Sequence, residues 1–294
     1  MPSDTSIVYT PRSEGSQSIR VIRPPSLSLT DLAGHVKSLT RYAGLIYTLS
    51  EHRIRVRYKQ SMLGVTWAIV QPLALMVIYT VIFSFVAHIQ TNGIPYPIFV
   101  FAGLVPWTYF STALTTGTSA LVSHSNLITK VYFPREILPL TYIIAGLFDF
   151  LIASSLLAAL MVISRVPVNA NILYALPVIA VMTIFVIAMV LILSATQVRF
   201  RDVGLGMALL LQIWMFATPI VYPLSAVAKL PRSLGWLYRL NPMVGVIENF
   251  RRTVLEGMAP DFAILGVSIA VTTLLLPVAY LYFKRVESTA ADVI

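Results

Sequence analysis

The chain has 294 residues, 57% hydrophobic and 11% charged, with no cysteine and a formal net charge of +9. That balance excludes an ordinary soluble domain, and the missing cysteines exclude a disulfide framework or a thiolate metal site. The length admits one membrane domain with a short polar arm, and no second enzyme domain.

Residues 1–26 are polar and lack the apolar core of a cleavable signal; they are predicted to form a disordered cytoplasmic arm. Residues 27–60 are predicted to form an amphipathic interface helix. Thr30 or Asp31 can cap it, and Leu32, Val36, Leu39, Ala43 and Ile46 recur at helical spacing. Its end, RIRVRYK, places Arg53, Arg55, Arg57 and Lys59 at the membrane edge, facing anionic lipid or forming a shelf for a cytoplasmic partner.

Six apolar runs follow, at Ser61–Ala87, Ile98–Val122, Ile137–Ile163, Leu173–Thr196, Val203–Tyr222 and Phe262–Phe283. Each reaches the ~20 residues a helix needs to cross a bilayer. Only helices or closed barrels satisfy the backbone there, and continuous apolar runs lack a barrel's alternation. The predicted fold is an all-α membrane protein with six transmembrane helices over 61–285 and a cytoplasmic tail at 286–294. Proline occurs in every run (Pro72, Pro106, Pro139, Pro177, Pro219, Pro277) and reads as ordinary kinking. With the N-terminus inside, fifteen Lys/Arg fall on the cytoplasmic side and six outside, five of those in one long loop. This bias predicts that both termini are cytoplasmic and argues against nucleic acid as the reason for the charge.

Three features depart from a plain bundle. The inside loop SHSNLITKVYFPREILPL (Ser123–Leu140) mixes polar, cationic and aromatic residues beyond a linker's needs. The outside stretch Pro223–Asp261 is well over the usual loop length of about 4–6 residues. It holds two apolar segments too short to span, parted by Asn241-Pro242. That pattern predicts a re-entrant outer hairpin over about 223–261, buried in protein or lining a cavity, or else a hairpin lying at the surface. The third feature is Asp149, the only acid deep in a run, which either packs by hydrogen bonding or has a functional role. Glu248 and Glu256 diverge by roughly 80° on a helix and read as solvated or paired with Arg251 and Arg252.

Catalytic chemistry is not expected. There is no GxxxxGK[ST] loop, the four histidines (His35, His52, His88, His124) lack metal-ligand spacing, and the acids form no close pair. An ion-coupled carrier would carry more intramembrane charge and an internal repeat. It remains the weaker rival.

RYKQSMLGVTWAIVQPL (Arg57–Leu73), FAGLVPWTYF (Phe101–Phe110), NLITKVYFPREILPL (Asn126–Leu140) and LNPMVGVIENFRRTVLEG (Leu240–Gly257) together resemble permease subunits of type-2 ABC exporters. Within that family the match is to the polysaccharide branch, which moves O-antigen, capsule or teichoic acid chains. The resemblance covers roughly residues 27 to 285. It implies a homodimer in the bacterial inner membrane, with two copies of a separate ATPase that would hold ATP and Mg, leaving no cofactor on this chain. The cargo would be a lipid-linked polysaccharide, with O-antigen favoured over teichoic acid; lipid and drug exporters share the architecture. Asn126, Leu127, Ile128, Thr129, Lys130, Val131, Tyr132, Phe133, Pro134, Arg135 and Glu136 would form the coupling helix entering an ATPase groove.

The outer hairpin resembles the family's gate helices. Leu234, Trp236, Leu237, Asn241, Pro242 and Glu248 would belong to the gate, with Arg251 and Arg252 at headgroup level or against a lipid-linked pyrophosphate. Spans one, two and five would line the path. Trp107, Tyr109, Phe110, Trp214, Phe216 and Tyr222 offer faces on which sugars can slide, or form an interfacial belt; Trp107 and Trp214 are the foremost candidates.

Overall fold

The computed structural model describes residues 39–59, 62–89, 91, 93–131, 133–227, 231, 235 and 238–293, and within them the chain is helical without any strand. The arm 1–26, the start of the interface helix (Thr30, Asp31, Leu32, Val36), Tyr132, Leu234, Trp236 and Leu237 lie outside the described residues. Helix α1 is Ala43–Lys59. The first run forms a 3-10 turn, then α2 (Trp67–Tyr79), then a π-helical stretch at Thr80–Val86. The second forms α3 (Tyr96–Thr118), followed by the short helices α4 (Ala120–Ser123) and α5 (Ser125–Lys130). Then come α6 (Ile137–Ile163), α7 (Ala175–Arg199), α8 (Asp202–Phe216), α9 (Leu224–Val227), α10 (Pro242–Val254) and α11 (Phe262–Val293).

Five helices among the described residues are long and apolar enough to cross a membrane, where six were expected. The fifth run is the exception. Its helix α8 ends at Phe216 after 15 residues, about 22 Å of rise. Pro219 brings no N–H and would clash with the preceding turn, and it biases Thr218 away from helix. Residues 217–222 therefore leave the helix as turns. Pro72, Pro106 and Pro277, by contrast, sit inside continuous helices.

Helix α3 is the core of the chain: 78% of its most apolar stretch is buried, against 6% for that of the span Gly64–Val86, which contains α2. It packs against α6, α7, α8 and α10 through one cluster that includes Phe101, Leu104, Phe110, Phe150, Met182, Phe185, Met243 and Phe250. A second cluster gathers the opposite end: Leu121, Ile128, Phe133, Ile137, Leu191, Val198, Phe283 and Val286. Large apolar side chains are exposed on α2 (Val77, Ile78), on the π-helical stretch after it (Val81, Ile82, Phe85) and on α8 (Leu205, Leu209, Leu210, Ile213).

Of the expected stripe, Leu39 and Ile46 pack inward, and Ala43 does not. Leu39, Tyr42, Ile46 and Leu49 pack on the second cluster, whereas Ala43 is exposed. Continued at helical spacing, that stripe reaches Ser50, Arg53 and Arg57. Two of the four cations assigned to the lipid edge therefore turn inward.

Candidate functional site

At the cytoplasm-assigned end, α5 and the turn after it fall into an inner and an outer side. Ile128 and Phe133 are buried in the second cluster. Arg135 is docked on the end of α11: its backbone N–H donates to Glu287 Oε1 at 3.1 Å and its guanidinium to the Glu287 carbonyl at 2.7 Å. Glu136 is buried and accepts from Lys284 Nζ at 2.8 Å, while the same ammonium reaches Glu287 Oε2 at 2.7 Å. Leu127 and Pro134 are half-buried, and Thr129 occupies the last turn of α5. Asn126, Lys130 and Val131 face outward, Val131 being 53% exposed. The expectation that this whole segment addresses a partner is thus narrowed: Ile128, Phe133, Arg135 and Glu136 hold the segment on its own subunit.

Between α1 and α6, Arg57 pairs with Asp149, and the Tyr58 hydroxyl donates to the other carboxylate oxygen. Arg53 donates to Thr141 Oγ1 at 2.6 Å and lies 3.5 Å over the Tyr142 ring. Arg55 pairs with Glu51 on the exposed face, where Lys59 is also exposed. Asp149 is therefore a tertiary tie between the first helix and the bundle. Above it opens a cleft of about 350 Å³ bounded by Trp67 and Gln71 of α2 and by Thr108, Thr112 and Thr116 of α3.

The aromatic expectation on α3 is corrected. Trp107, Tyr109 and Phe110 are 5%, 2% and 0% exposed and packed into the first cluster, and of the three only Tyr109 borders the cleft beside Asp149. The open edge of α3 carries hydroxyls instead: Thr108, Ser111, Thr112, Thr115, Thr116 and Ser119, all half-buried or exposed. Ser111, Thr115 and Thr116 donate to carbonyls three or four residues back, which leaves their oxygen lone pairs as acceptors. This spacing was legible in the string WTYFSTALTTGTS but hidden behind its aromatics.

Trp214 is half-buried, edge-on to Phe110 at 5.0 Å, and its indole N–H donates to Asn241 Oδ1 at 3.0 Å. Phe216 is 47% exposed, and Tyr222 donates to its carbonyl at 2.6 Å. Trp214, Asn241 and Leu210 border an apolar groove of about 730 Å³.

The described part of the outer hairpin centres on α10. Asn241 caps it, accepting from Met243 N–H at 3.1 Å and donating to Thr218 Oγ1 at 3.0 Å, with Pro242 in the first turn. Both residue types suit those positions. Met243, Val244, Val246 and Ile247 are all 0% exposed. Arg251 is 1% exposed, which corrects its expected place at headgroup level. Its guanidinium donates to the carbonyls of Pro219 and Ile220 at 2.9 and 3.0 Å and lies 3.7 Å over the Phe99 ring. Glu248 stands 3.7 Å from it. Burial lowers the Arg251 pKa to about 10, with Glu248 acting in the opposite direction, so it stays charged at neutral pH.

Pro219 and Ile220, in the turn that follows α8, have buried carbonyls, and these need partners such as the Arg251 guanidinium. Gly103 makes the approach possible, since a Cβ there would come 2.7 Å from the guanidinium and 3.1 Å from the Ile220 oxygen. Arg252 instead donates to the Ala259 carbonyl at 2.7 Å. Adjacent in sequence, the two arginines could not be told apart without the fold.

No group of His, Cys, Asp or Glu among the described residues is arranged to hold a metal ion. The arrangement is one of ties between helices and grooves between them.

Residues 44–255 match the family model described as ABC-2 type transporter. The chain is 34% identical to the O-antigen export system permease protein RfbA of Myxococcus xanthus over 87% of its own length and 98% of that relative's. It is 27% identical to the protein of the same name from Klebsiella pneumoniae, over 73% of this chain and 81% of that one. It is 28% identical to the polysialic acid transport protein KpsM of Escherichia coli, over 69% and 78%. With that match across most of its length, and five helices fit to cross a membrane, this chain belongs to the ABC-2 type transporter family.

Proposed function

We propose that this chain is the transmembrane subunit of an ATP-driven exporter that moves a lipid-linked polysaccharide of the O-antigen type across the bacterial inner membrane. The observation that carries this reading is the 34% identity to an O-antigen export permease over 98% of that relative. ATP and Mg belong to a separate ATPase, present in two copies beneath a homodimer of this chain. Its exposed contact is Asn126, Lys130 and Val131, beside α1. Residues 1–26 form a cytoplasmic arm, 27–60 the interface helix, 61–285 the permease domain and 286–294 the tail, with both termini inside. In this reading α8 and the turns to Tyr222 make the fifth of six crossings, and the hairpin around α10 re-enters the outer mouth as a gate.

The exposed apolar faces of α2 and α8 support a dimer seam along those helices. The hydroxyl edge of α3 supports a path along which sugars exchange hydrogen bonds without being held.

The likeness to the polysialic acid transport protein favours a second reading, in which the cargo is a capsule polymer. Deleting the gene and identifying the lipid-linked glycan that accumulates inside the cell separates the two. O-antigen units should build up and reappear at the surface on complementation. Accumulation of a capsule polymer would select the second reading, and no accumulated glycan would defeat both.

A further inference from the structure

We infer that α11 carries the displacement of the coupling segment to the outer hairpin, with Lys284 as the positioning residue at one end and the Gly245–Ser268 contact at the other. The inference rests on the reading of Asn126–Glu136 as the ATPase contact and of α10 as part of the outer gate.

At the near end the attachment is ionic and buried. Lys284 Nζ lies 2.8 Å from Glu136 Oε2 and 2.7 Å from Glu287 Oε2, and Glu136 and Lys284 are only 2% and 8% exposed. Arg135 adds two hydrogen bonds to Glu287, and Phe133 packs with Phe283 and Val286. A segment so tied cannot shift without moving the helix end or leaving charges buried and unpaired, which is costly.

At the far end the contact is too close to slip. A Cβ on Gly245 would come 2.1 Å from Ser268 Oγ and 2.8 Å from the Ile264 carbonyl. Ser268 Oγ donates to the Pro242 carbonyl at 2.9 Å, and Asn249 Oδ1 accepts from Asp261 N–H at 2.6 Å, just before α11 begins. Between these ends runs one unbroken helix. From Ser268 to Lys284 it rises about 24 Å, and α7 splints it where Ala188 and Leu191 pack with Ala279 and Phe283. Pro277 allows a bend without interrupting the helix. The two ends belong to different core clusters, and α11 joins them covalently.

The test uses the full complex of this chain with its ATPase in proteoliposomes. Met258, exposed in the turn after α10, is replaced by Cys in a chain that has none. Its labelling by a membrane-impermeant maleimide is compared with and without trapped ATP. The unaltered coupling should change the labelling rate by at least about fivefold. Lys284→Met should reduce that change to within about twofold while the ATPase still co-purifies, and Lys284→Arg should restore it. Gly245→Ala should remove the change from the other end with the ionic cluster intact, and it carries the test if Lys284→Met fails to insert. A wild-type response in both variants, with export unchanged, overturns the inference alone. Failure of the ATPase to co-purify with the unaltered chain overturns the coupling reading and the inference together.

Discussion

Arg251, buried, and Asp149, half-buried, show how much of this protein rests on a few polar side-chain contacts. Arg251 takes two buried carbonyls of the turn after α8, so Arg251→Met should destabilise the folded subunit by about 3 kcal/mol. A lower midpoint in thermal unfolding of the detergent-solubilised protein would register it; an unchanged midpoint would mean the turn after α8 holds itself. Gly103→Ala should act in the same direction, because its methyl meets the same guanidinium. Asp149 makes a different prediction. Since Arg57 and Tyr58 both reach it, Arg57→Met and Asp149→Leu should be non-additive, with a coupling of about 1–3 kcal/mol in a double-mutant cycle. Additive effects would show that the pair contributes nothing. An acid within a run is visible in the sequence, but its partner lies 92 residues away, and no local pattern points to it.

For the elements, the coupling segment separates anchoring from recognition. Phe133→Ala should cost about 3–5 kcal/mol through the cavity it leaves, and would report on folding rather than on partner contact. Lys130→Glu with Val131→Ser changes only the outward face, and should weaken ATPase co-purification and lower export while the subunit inserts normally. Undiminished export in that double variant would make the segment a connector. The difference between α3 and α2 was equally hidden, because both are apolar runs of similar length. Burial depends on which neighbours each helix meets: α3 sits among five others (α2, α6, α7, α8 and α10), while α2 keeps one face open. Helical spacing places the hydroxyls of α3 along one face, and packing leaves that face open.

At the scale of the molecule, the charge bias predicts that the end carrying the second core cluster is cytoplasmic. With no native cysteine, single Cys probes read this directly. Thr91→Cys and Met258→Cys should label from outside in intact cells, and Asn126→Cys only after permeabilisation. Labelling of Asn126→Cys in intact cells would invert the topology. The same probes test whether the fifth run completes a crossing, since Asp202→Cys should then label from the inside only.

By itself the sequence determined the class of this protein. Long apolar runs must be helical where no water satisfies the backbone, cation placement predicts their orientation, and Asn241-Pro242 marks a break between two apolar segments too short to span. Tertiary structure decided the rest. It chose Arg251 over Arg252, paired Lys284 with Glu136 across 148 residues, and buried the aromatics of α3 while leaving its hydroxyls open. Those outcomes depend on which helices pack together, because a charge or carbonyl removed from water takes whatever partner the neighbouring helix brings within reach.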